Sequence, residues 1–325
     1  MPSVSDWKIP SAAQPKAGDY GYDLDHVFAA MVGLRSIIPA DAFTAETLGT
    51  ERAGHGVFIR DNGLVLTIGY LITEAETIWL TLNDGRSVQG HVLGYDQETG
   101  FGLVQALAKL DVPALEIGES SAAAIGERVV VAGAGGRARS VAARSVAKQE
   151  FAGYWEYVLD EAIFTAPAHP NWGGTALIGP EGDLLGIGSL QLQHVVDKGQ
   201  PQNINMIVPI DLLNPILDDL LKTGRRSGPP RPWLGLYATE VESRLVVVGL
   251  ADRGPAKKAD LRNGDIVLSV AGKEVRDLAA FFRRIWAQGQ AGVEVPVTIY
   301  RDGSTIDVRI KSSERNRFLK GPSLH

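Results

Sequence analysis

Cysteine is absent from the 325 residues, which excludes disulfides, thiolate nucleophiles and Cys-ligated metal. Long hydrophobic runs are missing too. The first apolar segment, Val27 to Pro39, is broken by Arg35, and no run approaches the roughly 20 residues needed to span a bilayer. Met1 to Lys8 lack a basic region followed by an apolar stretch, so the reading is no secretory signal, no membrane span and a cytoplasmic location, with the periplasm as the alternative if a leader has been lost. Excess positive charge is also lacking: a formal net charge of −6, without basic patches interleaved with aromatics, argues against a nucleic-acid binder. Six histidines, at 26, 55, 91, 169, 194 and 325, show no ligand-like spacing. The glycine-rich Gly133 to Arg139 lacks the Lys-Ser/Thr ending and following helix of a phosphate loop. Neither metal nor cofactor is expected.

An apolar fraction of 45% and a charged fraction of 22% are those of a globular protein, and the length suggests two or three compact units. Short β-rich runs dominate. Val57 to Ile59, the turn Asp61-Asn62-Gly63 and Leu64 to Thr67 predict a hairpin, and further strands are expected at Thr77 to Leu82, Val88 to Tyr95 and Phe101 to Leu107. The pattern repeats in kind from Ala114 to Pro209, so a mainly β fold of barrels or sandwiches is predicted. Leu212, Leu213, Ile216, Leu217, Leu220 and Leu221 recur at helical period, with Asp211 read as the N-cap and Gly224 as the stop. Arg225 to Pro232 is a Pro/Gly-rich linker. Asp277 is expected to cap a second helix with Leu278, Phe281, Phe282, Ile285 and Trp286 on one face.

The stretch Asn171-Trp172-Gly173-Gly174-Thr175, followed by Ala176 to Ile178 and a Gly-Pro-Glu-Gly turn, resembles the nucleophile loop of HtrA-type trypsin-like serine proteases, whose usual form is G-N-S-G-G. Leu66 to Ile72 resemble the segment that bears the family's histidine, and Asp96 to Val104 the D-x-x-T-D-I-A-L-L element. The resemblance puts Tyr70, Gly100 and Trp172 at the triad positions and Pro170 at the oxyanion-hole glycine. Tyrosine is a poor base near neutrality, an indole has no nucleophilic oxygen, and proline has no N–H to give an oxyanion. Losing one triad member costs roughly 10⁴ to 10⁶ in rate. The expectation is therefore of no catalytic residue and a pseudoenzyme. His169 lies near this loop; it is read as a loop or surface histidine, with a pairing to Thr175 or Ser189 as the other possibility.

Trp233-Leu234-Gly235-Leu236 and the long segment Gly254 to Val267 resemble the PDZ domain of the same family, departing at Gly254, at Asp260 and in a short segment between Leu236 and Val246. That implies a chymotrypsin-like double β-barrel followed by a PDZ domain. The expected boundaries are an N-terminal segment 1–24, barrels 25–222, linker 223–231, PDZ 232–313 and a flexible tail 314–325. By resemblance, Trp233, Leu234, Gly235 and Leu236 hold a peptide carboxylate while Phe281 and Ile285 line its side-chain pocket. The expected function is a non-catalytic binder of peptide or protein C-termini, acting as scaffold, holdase or regulatory subunit. The alternative is an endopeptidase or other hydrolase with displaced catalytic residues. A homo-oligomer is expected, a trimer through Tyr20, Tyr22 and Phe28 by resemblance, as is association with an active homologue.

Overall fold

Glycine-bearing turns fold the N-terminal half into successive hairpins, and a computed structural model describes residues 7–195 and 201–321 of the chain. Strands β1 (Met31–Ile37), β2 (Glu51–Arg60), β3 (Leu64–Ile68), β4 (Thr77–Thr81), β5 (Ser87–Tyr95) and β6 (Phe101–Ala106) close into a barrel in the order β1-β2-β3-β6-β5-β4. The hairpin predicted around Asp61-Asn62-Gly63 is β2–β3, with Phe58 opposite Val65. The second barrel contains β7 (Arg128–Ala132), β8 (Ser140–Gly153), β9 (Tyr157–Ala166), β10 (Ala176–Ile178), β11 (Leu184–Val195) and β12 (Pro201–Pro209), in the order β10-β11-β12-β9-β8-β7. Closure removes sheet edges and lets alternate side chains such as Val129, Val131, Leu177 and Ile207 fill the interior.

Two short helices, α1 (Leu24–Ala29) and α2 (Ala45–Leu48), flank the first barrel. Helix α3 (Asn214–Thr223) ends as expected on Gly224, at φ +72. Its start differs from the expectation. Asp211 lies in a 3-10 turn, Ile210–Leu212, and its carboxylate accepts from the Ser120 and Ser121 N–H groups at 2.8 Å each, so a remote loop captured the cap. The tyrosines of the N-terminal segment pack on each other, Tyr20 to Tyr22 at 5.5 Å between ring centroids. Phe28 packs inward, only 3% exposed.

The remaining sheet has the order β13 (Leu236–Val241), β14 (Arg244–Leu250), β15 (Ile266–Val270), β17 (Glu294–Arg301), β18 (Ser304–Lys311), with the short β16 (Lys273–Glu274) paired to β15. The short segment of departure is a two-residue turn, Glu242-Ser243, both at positive φ, which matches the twist of a tight hairpin. Helices α4 (Pro255–Lys258) and α5 (Leu278–Trp286) cover this sheet. Asp277 caps α5 as the sequence predicts, accepting from Ala280 N–H at 2.7 Å, and Phe281, Phe282 and Ile285 are fully buried. The tail expected to be flexible has structure as far as it is described: Arg315–Phe318 is a 3-10 turn with Phe318 4.9 Å from the Trp233 ring. The last residues, 322–325, lie outside the described part.

Two compact units emerge. One holds the residues up to Gln149 together with Glu161–Arg226; the other holds Ser227–Lys320 together with Glu150–Asp160, the distal end of the β8–β9 hairpin. Among the described residues, no helix is long and apolar enough to cross a membrane.

Candidate functional site

The turn carrying Tyr70, Gly69–Leu71, is held by Arg52, whose guanidinium donates to the carbonyls of Tyr70 at 2.7 Å and Thr73 at 3.1 Å. Burial pulls the pKa of Arg52 down to about 10, with Glu74 opposing the shift. The Tyr70 hydroxyl donates to the Ser189 carbonyl at 2.9 Å, and burial raises its pKa above the ordinary tyrosine range. It is therefore a neutral donor at pH 7. Gly100 stands at φ +85 and gives its N–H to the Asp96 carbonyl. The nearby Asp96 is buried, which alone would raise its pKa, but Arg226 and the N–H and hydroxyl of Thr99 outweigh burial and keep the carboxyl below its usual range.

Loop 171–175 is tied down by its own main chain. Trp172 O accepts from Thr175 N at 3.1 Å and from Thr175 Oγ1 at 2.8 Å, Gly174 N donates to Gly188 O at 2.9 Å, and Gly173 O accepts from His55 N at 2.9 Å. Gly174 is at φ +76, and a Cβ there would stand 1.9 Å from the His55 carbonyl oxygen. Pro170 lies exposed at the loop's entry.

His169 differs from the expected surface residue. It is wholly buried, with its ring 5.6 Å from the rings of both His55 and Trp7. Its Nδ1 accepts from Asn171 N at 3.1 Å and its Nε2 faces Arg139 O at 2.8 Å. Neither Thr175 nor Ser189 pairs with it: the Thr175 hydroxyl is committed to Trp172 O, and Ser189 meets Tyr70 through its carbonyl. His55 accepts from Ala134 N through Nδ1 at 3.0 Å, so its proton sits on Nε2, which is buried near the Asn171 main chain and, among the described residues, makes no hydrogen bond of ordinary geometry. Burial, then the neighbouring His169, push its pKa down to about 3. Two neutral imidazoles thus meet beneath the loop, 114 residues apart in sequence, where no spacing rule could find them. Among the described residues, no group of three His, Asp or Glu is placed to hold a metal ion.

The second candidate lies in the PDZ-containing unit. Leu234, Gly235 and Leu236 point their N–H groups at one spot, a concave nest made possible by Gly235 at φ +70. A carboxylate occupies it. Glu156 Oε1 accepts from Leu234 N at 3.1 Å, Gly235 N at 2.8 Å and Leu236 N at 3.4 Å. Burial pushes this carboxyl up to about 7 against the pull of the three donors. Trp233 does not join them, because its N–H donates to Ser313 O at 2.9 Å. Phe281 and Ile285 were expected to line an open pocket; both are 0% exposed and share one buried cluster with Leu234, Leu236 and Val158. The sequence reading missed Glu156 altogether, and a lone glutamate in an aromatic hairpin carries no motif that would have marked it.

With this geometry in view, family models match at residues 54–187, a trypsin-like peptidase domain, and at residues 232–312, a PDZ domain. The chain is 26% identical over 281 residues to a probable periplasmic serine endoprotease, DegP-like, of Hahella chejuensis, covering 80% of this chain and 57% of the relative. It is 28% identical to a protein of the same description from Pseudomonas putida, covering 80% and 56%, and 23% identical to the serine protease Do-like HtrA of Lactobacillus helveticus, covering 81% and 69%. The chain thus spans little more than half the length of the first of these relatives. Among solved structures, HtrA-type protease AlgW with a decapeptide superposes with a TM-score of 0.53 at 19% identity, over 92% of this chain and 99% of that one. Two expectations are corrected by these findings. The expected non-enzyme is overturned by relatives that are named serine endoproteases, and the expected cytoplasmic location by relatives named periplasmic. The chain therefore carries a trypsin-like peptidase domain followed by a PDZ domain, and the relatives and solved structures it is similar to are HtrA-type serine proteases.

Proposed function

We propose that this chain is a periplasmic, polypeptide-handling HtrA-type protein whose PDZ groove takes carboxyl-terminal segments. The observation that supports this is the nest at Leu234, Gly235 and Leu236: its three N–H groups already converge on a carboxylate. A peptide's terminal carboxylate offers the same oxygens, and the adjoining edge strand β13 offers main-chain donors to an added strand. Endoproteolysis, the activity in the relatives' names, comes to this chain as the accompanying proposal. With Tyr70, Gly100 and Trp172 at the positions that resemble the triad, cleavage draws on other groups, and the imidazoles of His55 and His169 are those next to the loop. Turnover of unfolded casein that disappears in His55→Gln assigns the activity to this site; turnover unchanged in His55→Gln removes the assignment.

The binding reading is tested with the full chain and a labelled peptide ending in valine, beside its C-terminally amidated twin. Amidation removes the negative charge and one acceptor, so fluorescence anisotropy is expected to show at least a tenfold weaker affinity for the amide, about 1.4 kcal/mol. Equal affinities would overturn the reading.

A further inference from the structure

We propose that the PDZ groove holds an internal ligand, the tip of the β8–β9 hairpin, with the Glu156 side chain seated where the terminal carboxylate of a peptide would lie, so that an external C-terminus binds only by displacing it. The inference rests on the proposed peptide-binding role of that groove.

Several independent contacts within the one unit support it. The carboxylate accepts from Leu234, Gly235 and Leu236 N–H groups, and among the described residues these main-chain donors are its hydrogen-bond partners. Two residues upstream the hairpin behaves as an added strand: Ala238 N, on edge strand β13, donates to Tyr154 O at 3.3 Å. The spacing matters, because an extended peptide anchored by its end presents its next main-chain acceptor toward the same strand two residues back. The Tyr154 ring packs edge-on against Tyr237 of β13, 6.0 Å between centroids. Val158 enters the buried cluster that contains Phe281 and Ile285, filling space that a peptide's apolar side chain would claim. Arg283 of α5 pairs with Glu150 and Asp160, one on each limb of the hairpin.

The turn holds a side chain that its backbone conformation does not favour. Glu156 sits at φ +62, a left-handed conformation that glycine or asparagine adopts at less cost than glutamate. The glutamate keeps a strained backbone and a buried acid for the sake of a carboxylate in the nest.

Glu156→Gly in the full chain is the informative substitution, since it removes the carboxylate and eases the turn's backbone. Two readouts are taken. Hydrogen exchange of the segment containing Leu234 to Leu236 is expected to quicken at least tenfold, because three amides lose their acceptor. Affinity for the free-carboxylate peptide ending in valine is expected to rise at least tenfold over the unsubstituted chain. Exchange that does not change overturns the internal ligand. Faster exchange with an unchanged, measurable affinity overturns the competition. Faster exchange with no binding of either peptide leaves the seated Glu156 in place and sinks the peptide-binding reading, and with it the displacement.

Discussion

Gly174→Ala is expected to destabilise the trypsin-like unit by at least about 4 kcal/mol, at the upper end of what single substitutions do. Two causes add. The residue is at φ +76, where a Cβ is disfavoured, and that Cβ would stand 1.9 Å from the His55 carbonyl oxygen and 2.7 Å from Thr67 Oγ1. Neither neighbour can yield cheaply, because His55 O already accepts the Thr67 hydroxyl at 2.6 Å and His55 N is bonded to Gly173 O. Gly85→Ala, in the turn between β4 and β5, provides the control: it also has a positive φ, +87, with nothing within 4 Å of the added carbon, so it is expected to cost about 1 kcal/mol. Urea denaturation followed by circular dichroism separates the two. If both variants lose the same stability, backbone conformation alone decides, and the packing of the loop on β2 counts for nothing.

Acid should weaken the same unit more steeply than its carboxylates alone require. In the unfolded chain His55 takes up a proton near pH 6.5, whereas in the folded chain burial, then His169, hold its pKa at about 3. The unfolded state therefore binds more protons between these values, so the stability from the neutral imidazole is complete above about pH 6.5 and is lost as pH falls toward 3. Burial also lowers His169, which acts in the same direction. For His55 the loss is on the order of 4 kcal/mol across that window. His55→Gln removes the titration while leaving an acceptor for Ala134 N, and its stability is expected to fall less between pH 7 and pH 4 than that of the unsubstituted chain. Parallel pH profiles for the two proteins would refute the assignment.

How far the sequence carried the reading depends on the range of the interactions involved. Turn and cap signals acted within a few residues: Asp61-Asn62-Gly63 made its hairpin, Gly224 stopped α3 and Asp277 started α5. Asp211 failed as a helix cap because its oxygens found Ser120 and Ser121, 91 and 90 residues away. Trp233 looked like one of four equal members of a carboxylate loop, yet strand-like pairing with Ser313 claimed its N–H. His169 read as a loop or surface residue because nothing along the chain shows what a side chain meets in space; the rings of Trp7 and His55, both remote in sequence, lie against it in the fold, where it is buried.

By itself the sequence determined the strand and turn order and the chemical identity of the residues standing in the peptidase loop, since these follow from local periodicity, glycine placement and residue type, while the two domain types came from the resemblance of its motifs to a known family. Only the tertiary structure decided that two histidines meet beneath that loop and that Glu156 fills the PDZ nest from 78 residues away. A buried carboxyl and a buried imidazole depend on what surrounds them in space. Those surroundings form only when distant strands close the core and exclude water, and no pattern along the chain encodes them directly.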